Sequence, residues 1–495
     1  MAIRRMHPAE RRRRRDPWPN CCALTSRTCW TSHRAAVLRP RPPVCLPAGR
    51  RWAGPDRPAM VLLGLDVGSS SVKAAILRHG RVAGPIARES YPTKFDAVRA
   101  EIRPRQLLAA VARAIGRLGP AARRVDAIAL STLSPSWVAM DGRGRPITPI
   151  ITHQDRRSVH EARDLLAAAG GQQAMLRLAG NLPFPGGISS TTLMWFLRHE
   201  KALMRRAELV GHLSTLLIRQ MTGARVTDPS HASFMGLYRT LEQAGWSEDL
   251  CGLVGVSPKL LPDILESDRI AGHVTGSAAR RFGLAAGTPM LAGMVDTGAA
   301  MLLTGAKPGQ LLNVSGSTDV LALCTDCPRP HPQLLTRALG VGRKWLSVST
   351  LAAAGSTLDW VHRQMFADLP EAAFRRLLGR LARRPLPSTV RFDAYLAGDR
   401  MSIEQKQGAF AGLTLATTRL HMLSAVIESL AAASARRLPL LACNPASISR
   451  RVVVSGGVQT VLSAILHRDW PGKWEFRYQA EATLRGLARL APARS

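Results

Sequence analysis

The sequence predicts an α/β protein made of two similar halves with a cleft between them. Three observations carry that expectation. From Met60 onward, short apolar strands alternate with segments of helical period. A strand–turn–strand rich in glycine and hydroxyl side chains begins near Gly64, and a second one begins near Asn313. Between them, Asp296 follows a short apolar run and leads into Thr297-Gly-Ala-Ala300.

The elements follow in order. Val61 to Val67 reads as a strand, and Val72 to Leu77 and Arg81 to Ser90 continue it as an antiparallel meander turning at His79-Gly80. After Pro104, the residues Leu107, Leu108, Val111, Ile115 and Leu118 recur at helical spacing. Val125 to Leu130 is the next strand, and Val138 to Pro146 a hairpin or turn. Residues 157–285 read as mostly helical, with joints such as Pro183-Phe-Pro-Gly-Gly187. Met290 to Met294 is a strand that delivers Asp296. In the second half, Gln310 to Val314 and Asp319 to Cys324 flank Ser315-Gly-Ser-Thr318. Helices are expected at 352–366, 371–384 and 418–438, and a strand at Arg451 to Ser455 before Gly456-Gly457.

Composition narrows the functional classes. At 46% hydrophobic, the 495-residue chain can bury large cores, which excludes a disordered protein. The most apolar run, Leu284 to Leu303, is broken by Pro289 and Asp296, so no membrane span is expected. The formal charge of +34 would attract phosphate groups of any origin, from ATP to nucleic acid. No helix-turn-helix, zinc-finger or aromatic RNA-binding motif accompanies it, and nucleic acid is not the expected partner. The cysteines form no disulfide framework; Cys324-x-x-Cys327 stands without a second pair, and a cytoplasmic setting is expected.

Residues 1–59 differ from the rest. Their 14 arginines against 3 acidic residues supply +11 of the +34, leaving +23 on the remainder. With nine prolines and no apolar period, the segment is expected to be a disordered leader, read from a start codon upstream of Met60.

The turns carry the chemistry. Gly68 permits close backbone approach, and Ser69 and Ser70 offer amides and hydroxyls to phosphate oxygens, with Lys73 beside them. Asp66 cannot touch phosphate but can hold Mg²⁺ through water. Ser315, Gly316, Ser317 and Thr318 repeat this chemistry in the second half. Neither turn is a P-loop. Asp296, at a cleft-facing strand end, suits a general base.

Gly64-Leu-Asp-Val-Gly-Ser-Ser-Ser-Val-Lys73 resembles the opening of the FGGY carbohydrate kinases. Gly408-Ala-Phe-Ala-Gly412-Leu413, followed seven residues later by His421-Met-Leu-Ser-Ala-Val-Ile-Glu428, resembles their C-terminal signature. The resemblance implies a two-domain actin-like (ribonuclease H-like) ATPase fold. Residues 60–303 would bind sugar and phosphate, and residues 304–495 the nucleotide. It implies ATP and Mg²⁺ as cofactors, Asp296 as catalytic base, and Gly456 and Gly457 facing adenosine. Glu481-Ala-Thr-Leu-Arg-Gly486 resembles the closing helix, placed near adenine.

Ile150-Ile-Thr-His-Gln-Asp155-Arg-Arg157 resembles the family's sugar-contact segment, which implies Asp155 and Arg157 as sugar ligands, with His153 where Trp is usual. Leu133-Ser-Pro-Ser136 stands where xylulokinases and sedoheptulokinases carry Gln-Met-His-Gly, leaving Ser134, Ser136 and Trp137 as substitute contacts. The Gly398-Asp-Arg400 segment resembles the sedoheptulokinase branch, so a ketose is the expected acceptor. The expected partners are a small sugar and ATP, with homodimerisation left open. Two other classes stay in view: a sugar or nucleotide sensor of the same fold, and a basic nucleic-acid-binding protein.

Overall fold

The structure, a computed structural model, describes residues 60–443, 447–456 and 461–490. The expected leader 1–59 and Gly457 lie outside the described residues.

Two mixed sheets organise the chain. In the first, Leu62–Val67 is buried along its whole length, as its unbroken apolar run requires of a strand covered on both faces. It pairs antiparallel with Ser71–Arg78 and parallel with Ala127–Thr132. Arg81–Ser90 extends one edge, and Pro289–Leu291 and Ile270–His273 extend the other. Helix Pro104–Gly116 begins with proline, which needs no amide there, and buries Leu107, Leu108, Val111 and Ile115 against the sheet.

The second sheet repeats the central motif. Leu311–Ser315 pairs antiparallel with Asp319–Thr325 and parallel with Arg451–Ser455. Trp345–Leu351 and Leu335–Ala338 follow on one side and Glu475–Tyr478 on the other. A central strand with an antiparallel hairpin partner and a parallel crossover partner, present twice, is the duplicated unit that the two turns announced.

Several elements differ from expectation. Within 157–285 lie not only helices such as Val159–Ala168, Ser189–His199 and Leu213–Thr222, but also the strands Leu209–Gly211 and Ile270–His273, too short for a period to register. The strand expected at Met290 to Met294 is two pieces, Pro289–Leu291 and Met294–Val295. Gly293 turns between them at φ 71°, where a Cβ would lie 2.4 Å from the Leu130 carbonyl oxygen.

The chain's last helix, in the segment expected as the second domain, lies against the first sheet. Ala482–Leu487 packs on helix Asp296–Leu303 and on the first sheet. A Cβ on Gly486 would sit 1.7 Å from the Ala299 carbonyl oxygen, so the small residues expected to admit adenine serve helix packing instead. Among the described residues, no helix is long and apolar enough to cross a membrane.

Candidate active site

The parallel strands of the first sheet deliver two carboxylates to one edge. Asp66 stands in register with Lys73 on one neighbour and Ser131 on the other. Val295 pairs with Thr132, so Asp296 emerges beside them as the first residue of its helix. A buried network fixes that position. Asp228 accepts from the Ser230 amide at 2.8 Å and the Ser267 hydroxyl at 3.0 Å, and pairs with His231 Nδ1. His231 Nε2 meets the Thr132 hydroxyl at 2.7 Å. Ser230 Oγ accepts the Val295 amide at 3.0 Å, pinning the backbone one residue before Asp296. The sequence reading passed over this network; Asp228-Pro-Ser was its visible signal, an N-cap before a proline-started helix.

Burial raises both carboxyl groups. Asp296 is pushed above the ordinary aspartate range despite hydrogen bonds from the Thr297 amide (2.6 Å) and hydroxyl (3.0 Å). Asp66 is pushed up to about 7, chiefly by burial and further by the charges of Asp296 and Glu481, against the opposing pull of Lys73. Lys73, expected on phosphate, donates to Glu481 at 2.9 Å and lies 3.7 Å from Asp66.

Two cavities meet at the second turn. The first, about 310 Å³, is lined by Ser69, Ser134, His153, Asp296, Ser317 and Thr318, among others. The second, about 480 Å³, is lined by Gly316, Ser317, Gly355, Leu358, Asp359 and Leu462, among others. Ser317 belongs to both.

The turn between them is tied down from behind. The Ala354 amide donates to the Ser317 carbonyl at 2.8 Å, and the Gly355 amide to that of Gly316 at 3.0 Å. Asn313 donates to Asp319 at 2.7 Å, and Asp319 pairs with buried Arg437. Ser315 Oγ is buried and has no hydrogen-bond partner. Gly456, expected on adenosine, braces this turn: a Cβ there would lie 1.6 Å from the Ser315 carbonyl oxygen. In the first turn, the Gly68 amide donates to the Ser71 carbonyl at 3.0 Å and the Tyr91 amide to that of Ser70 at 3.1 Å.

Part of the expected sugar set lies behind the wall. Asp155 and Arg157 bind each other through Nε at 2.9 Å and Nη2 at 2.7 Å. Asp155 also accepts the Ala100 amide at 2.8 Å, and Arg157 also reaches Glu101 at 2.5 Å. Both are buried, and their neighbours His153 and Gln154 face the cavity instead. Ser136 is equally committed, donating to the Leu133 carbonyl at 2.9 Å and accepting the Leu213 amide at 3.2 Å. Trp137 is buried against Phe196. Of the three substitute contacts expected there, Ser134 alone lines the cavity, beside Leu133.

Comparison with known proteins decides the family. Residues 61–303 match the FGGY family of carbohydrate kinases, N-terminal domain, and residues 311–462 match its C-terminal domain. The chain belongs to the FGGY family of carbohydrate kinases. A gluconokinase of Bacillus subtilis (strain 168) is 25% identical over 386 residues, 74% of each chain. A xylulose kinase of Streptomyces coelicolor is 29% identical over 251 residues, 50% of this chain and 51% of that one. Among solved structures, xylulose kinase from Rhodospirillum rubrum superposes with a TM-score of 0.75 at 25% identity, covering 87% of this chain and 90% of the other. This FGGY kinase therefore has the two-domain actin-like fold and is a phosphotransferase with an alcohol acceptor.

The residues present suit ATP and magnesium. No group of three or more His, Cys, Asp or Glu among the described residues could cage a metal. Asp66 and Asp296, however, bring two carboxylates to one edge of the sheet, with the Lys73 ammonium 3.7 Å from Asp66. Magnesium commonly uses such a set, keeping waters and phosphate oxygens as its other ligands.

Proposed function

We propose that this FGGY kinase transfers the γ-phosphoryl group of ATP to a hydroxyl of a small sugar-derived acceptor. The observation that carries the reading is the position of Asp296, half-buried at a strand end and opening on the cavity it shares with Ser69, Ser317 and Thr318. The nucleotide would occupy the second cavity, with its phosphates at the turn Ser315–Thr318 and its γ-phosphate entering the first.

In the reaction, the acceptor hydroxyl gives its proton to the Asp296 carboxylate, and its oxygen bonds to the γ-phosphorus. The bond from that phosphorus to the β–γ bridging oxygen breaks, and ADP leaves. A carboxyl group raised by burial accepts a proton more readily than one in water, which suits the task. Amides and hydroxyls of the two turns hold the phosphoryl oxygens as charge shifts among them. Asp66 would hold magnesium through water, and the ion would supply charge that neutralises the phosphates.

The names of the relatives include xylulose, gluconate and glycerol kinases, and two of these bear on the sugar acceptor. Xylulose kinases support the ketose expected from the sequence, and a gluconokinase supports a sugar acid. ADP release measured with ATP, Mg²⁺ and a panel of sugars, polyols and sugar acids tests the reading. Turnover that depends on one of them supports it, and a rate independent of every acceptor overturns it.

A further inference from the structure

One cation in the first cavity has no counterpart in the reaction just described. Arg337 lies in strand Leu335–Ala338, is 3% exposed, and lines the cavity. Its guanidinium stands over the Phe234 ring, 3.2 Å from the centroid. Its hydrogen bonds are long, 3.4 Å to the Ser233 carbonyl and 3.5 Å to that of Gly187. Its Nε is buried and unpartnered, and no carboxylate among the described residues pairs with it. A buried guanidinium normally has an anion; stacking on one ring offsets only part of the cost of desolvation.

Register places the Arg337 backbone far from the turn Ser315–Thr318. The cavity floor is one face of the second sheet, where Thr318, Val320, Thr350, Val348, Leu346 and Arg337 share the wall. Arg337 is paired with Leu346, and Leu346 is four residues along its strand from Thr350, which pairs with Val320 beside the phosphate turn. At strand rise, four residues span about 13 Å. Arg400, the other arginine of this cavity, shares a smaller recess with Thr318 and acts on both Asp296 and Arg337. Between Arg337 and the turn the floor is apolar.

We propose that the acceptor is a sugar acid, bound with its carboxylate on Arg337 and phosphorylated on the hydroxyl remote from that carboxylate. This rests on the kinase reading above and adds the substrate's charge and orientation to it. The carboxylate would take the free Nε and the Nη edge of Arg337 in a forked pair. The carbon chain would cross Val320, Val348 and Leu346, bringing the far hydroxyl to Asp296.

The test compares five- and six-carbon aldonates with ketoses of equal length, using wild type, Arg337→Met and Arg337→Lys. ADP release gives kcat/KM, calorimetry without ATP gives binding, and ³¹P NMR locates the phosphate in the product. The wild type is expected to favour an aldonate. Arg337→Met should lower that aldonate's kcat/KM by about 10²-fold, mostly through KM, while sparing the ketoses, and Arg337→Lys should recover part of the loss. A wild-type preference for a ketose, or an aldonate preference unchanged in Arg337→Met, overturns the proposal and leaves the kinase reading intact. If Arg337→Met does not fold, the wild-type preference and the Lys variant decide. If no acceptor is turned over, the kinase reading fails, and aldonate binding that Arg337→Lys weakens decides the charge assignment alone.

Discussion

Replacing Gly456 by alanine would plant a methyl carbon 1.6 Å from the Ser315 carbonyl oxygen and 2.6 Å from its carbonyl carbon. Carbon and oxygen approach no closer than about 3.3 Å even in a weak C–H···O contact, so the two backbones must part by more than about 1.5 Å. Both are main chain and neighbours in one sheet, since Val314 pairs with Ser455. Gly456 also stands at φ 140°, a conformation costing other residues about 1–3 kcal/mol. Ser317, which joins the two cavities, is two residues from Ser315 and must shift with it. A misplacement of about 1 Å in a positioning element costs on the order of 10²-fold. Gly456→Ala should therefore lower kcat/KM for ATP by about that factor, and lower stability by at least the strain. Acceptor binding measured without nucleotide should change little. ATP titration of ADP release and urea unfolding read both effects. Gly316→Ala is the control for stability, because its nearest atom would be 4.0 Å away. An unfolding midpoint and ATP dependence unchanged in Gly456→Ala would refute the bracing role.

Two further perturbations address metal and pH. Asp66→Asn should raise the Mg²⁺ concentration for half-maximal rate by about 10–100-fold, the usual effect of losing a group that acts on a metal through its waters; an unaltered Mg²⁺ titration would remove Asp66 from that role. His467, buried against Trp470 and Phe476 and hydrogen-bonded to Asn313 at 2.9 Å, has its pKa lowered to about 4 by burial. The unfolded chain binds that proton below about 6.5. The stabilisation is thus complete above pH 6.5 and disappears as the pH falls toward 4, a change of about 3 kcal/mol. Urea unfolding of His467→Phe against wild type should show a stability difference that moves by about 2–3 kcal/mol between pH 7 and pH 4.5; a constant difference contradicts it.

What the sequence disclosed was local and periodic. Leu62–Val67 and Ser71–Arg78 were legible because a buried apolar run, a Gly-Ser turn and a second run leave few alternatives. The position of Asp296 at a strand end was legible because a short apolar run precedes it and small residues follow. The reading went wrong where a motif named residue types without their direction. Asp155 and Arg157 carry the expected pair, yet they spend their hydrogen bonds on each other and on Ala100 and Glu101. Small residues at Gly486 could admit either a base or a helix, and the Ala299 backbone took the place. Arg337 left no sequence signal, since an arginine within Leu334-Leu-Thr-Arg-Ala338 looks like any edge-strand charge until the fold buries it over Phe234.

The central claim is that Asp296 deprotonates an alcohol while ATP is held across the two turns. Its most direct test is acceptor-dependent ADP release by wild type and Asp296→Asn at saturating ATP, Mg²⁺ and acceptor. Asparagine keeps the size of the side chain but cannot take the proton, so the rate should fall by about 10²-fold or more with ATP affinity retained. Equal rates in the two proteins would contradict the account.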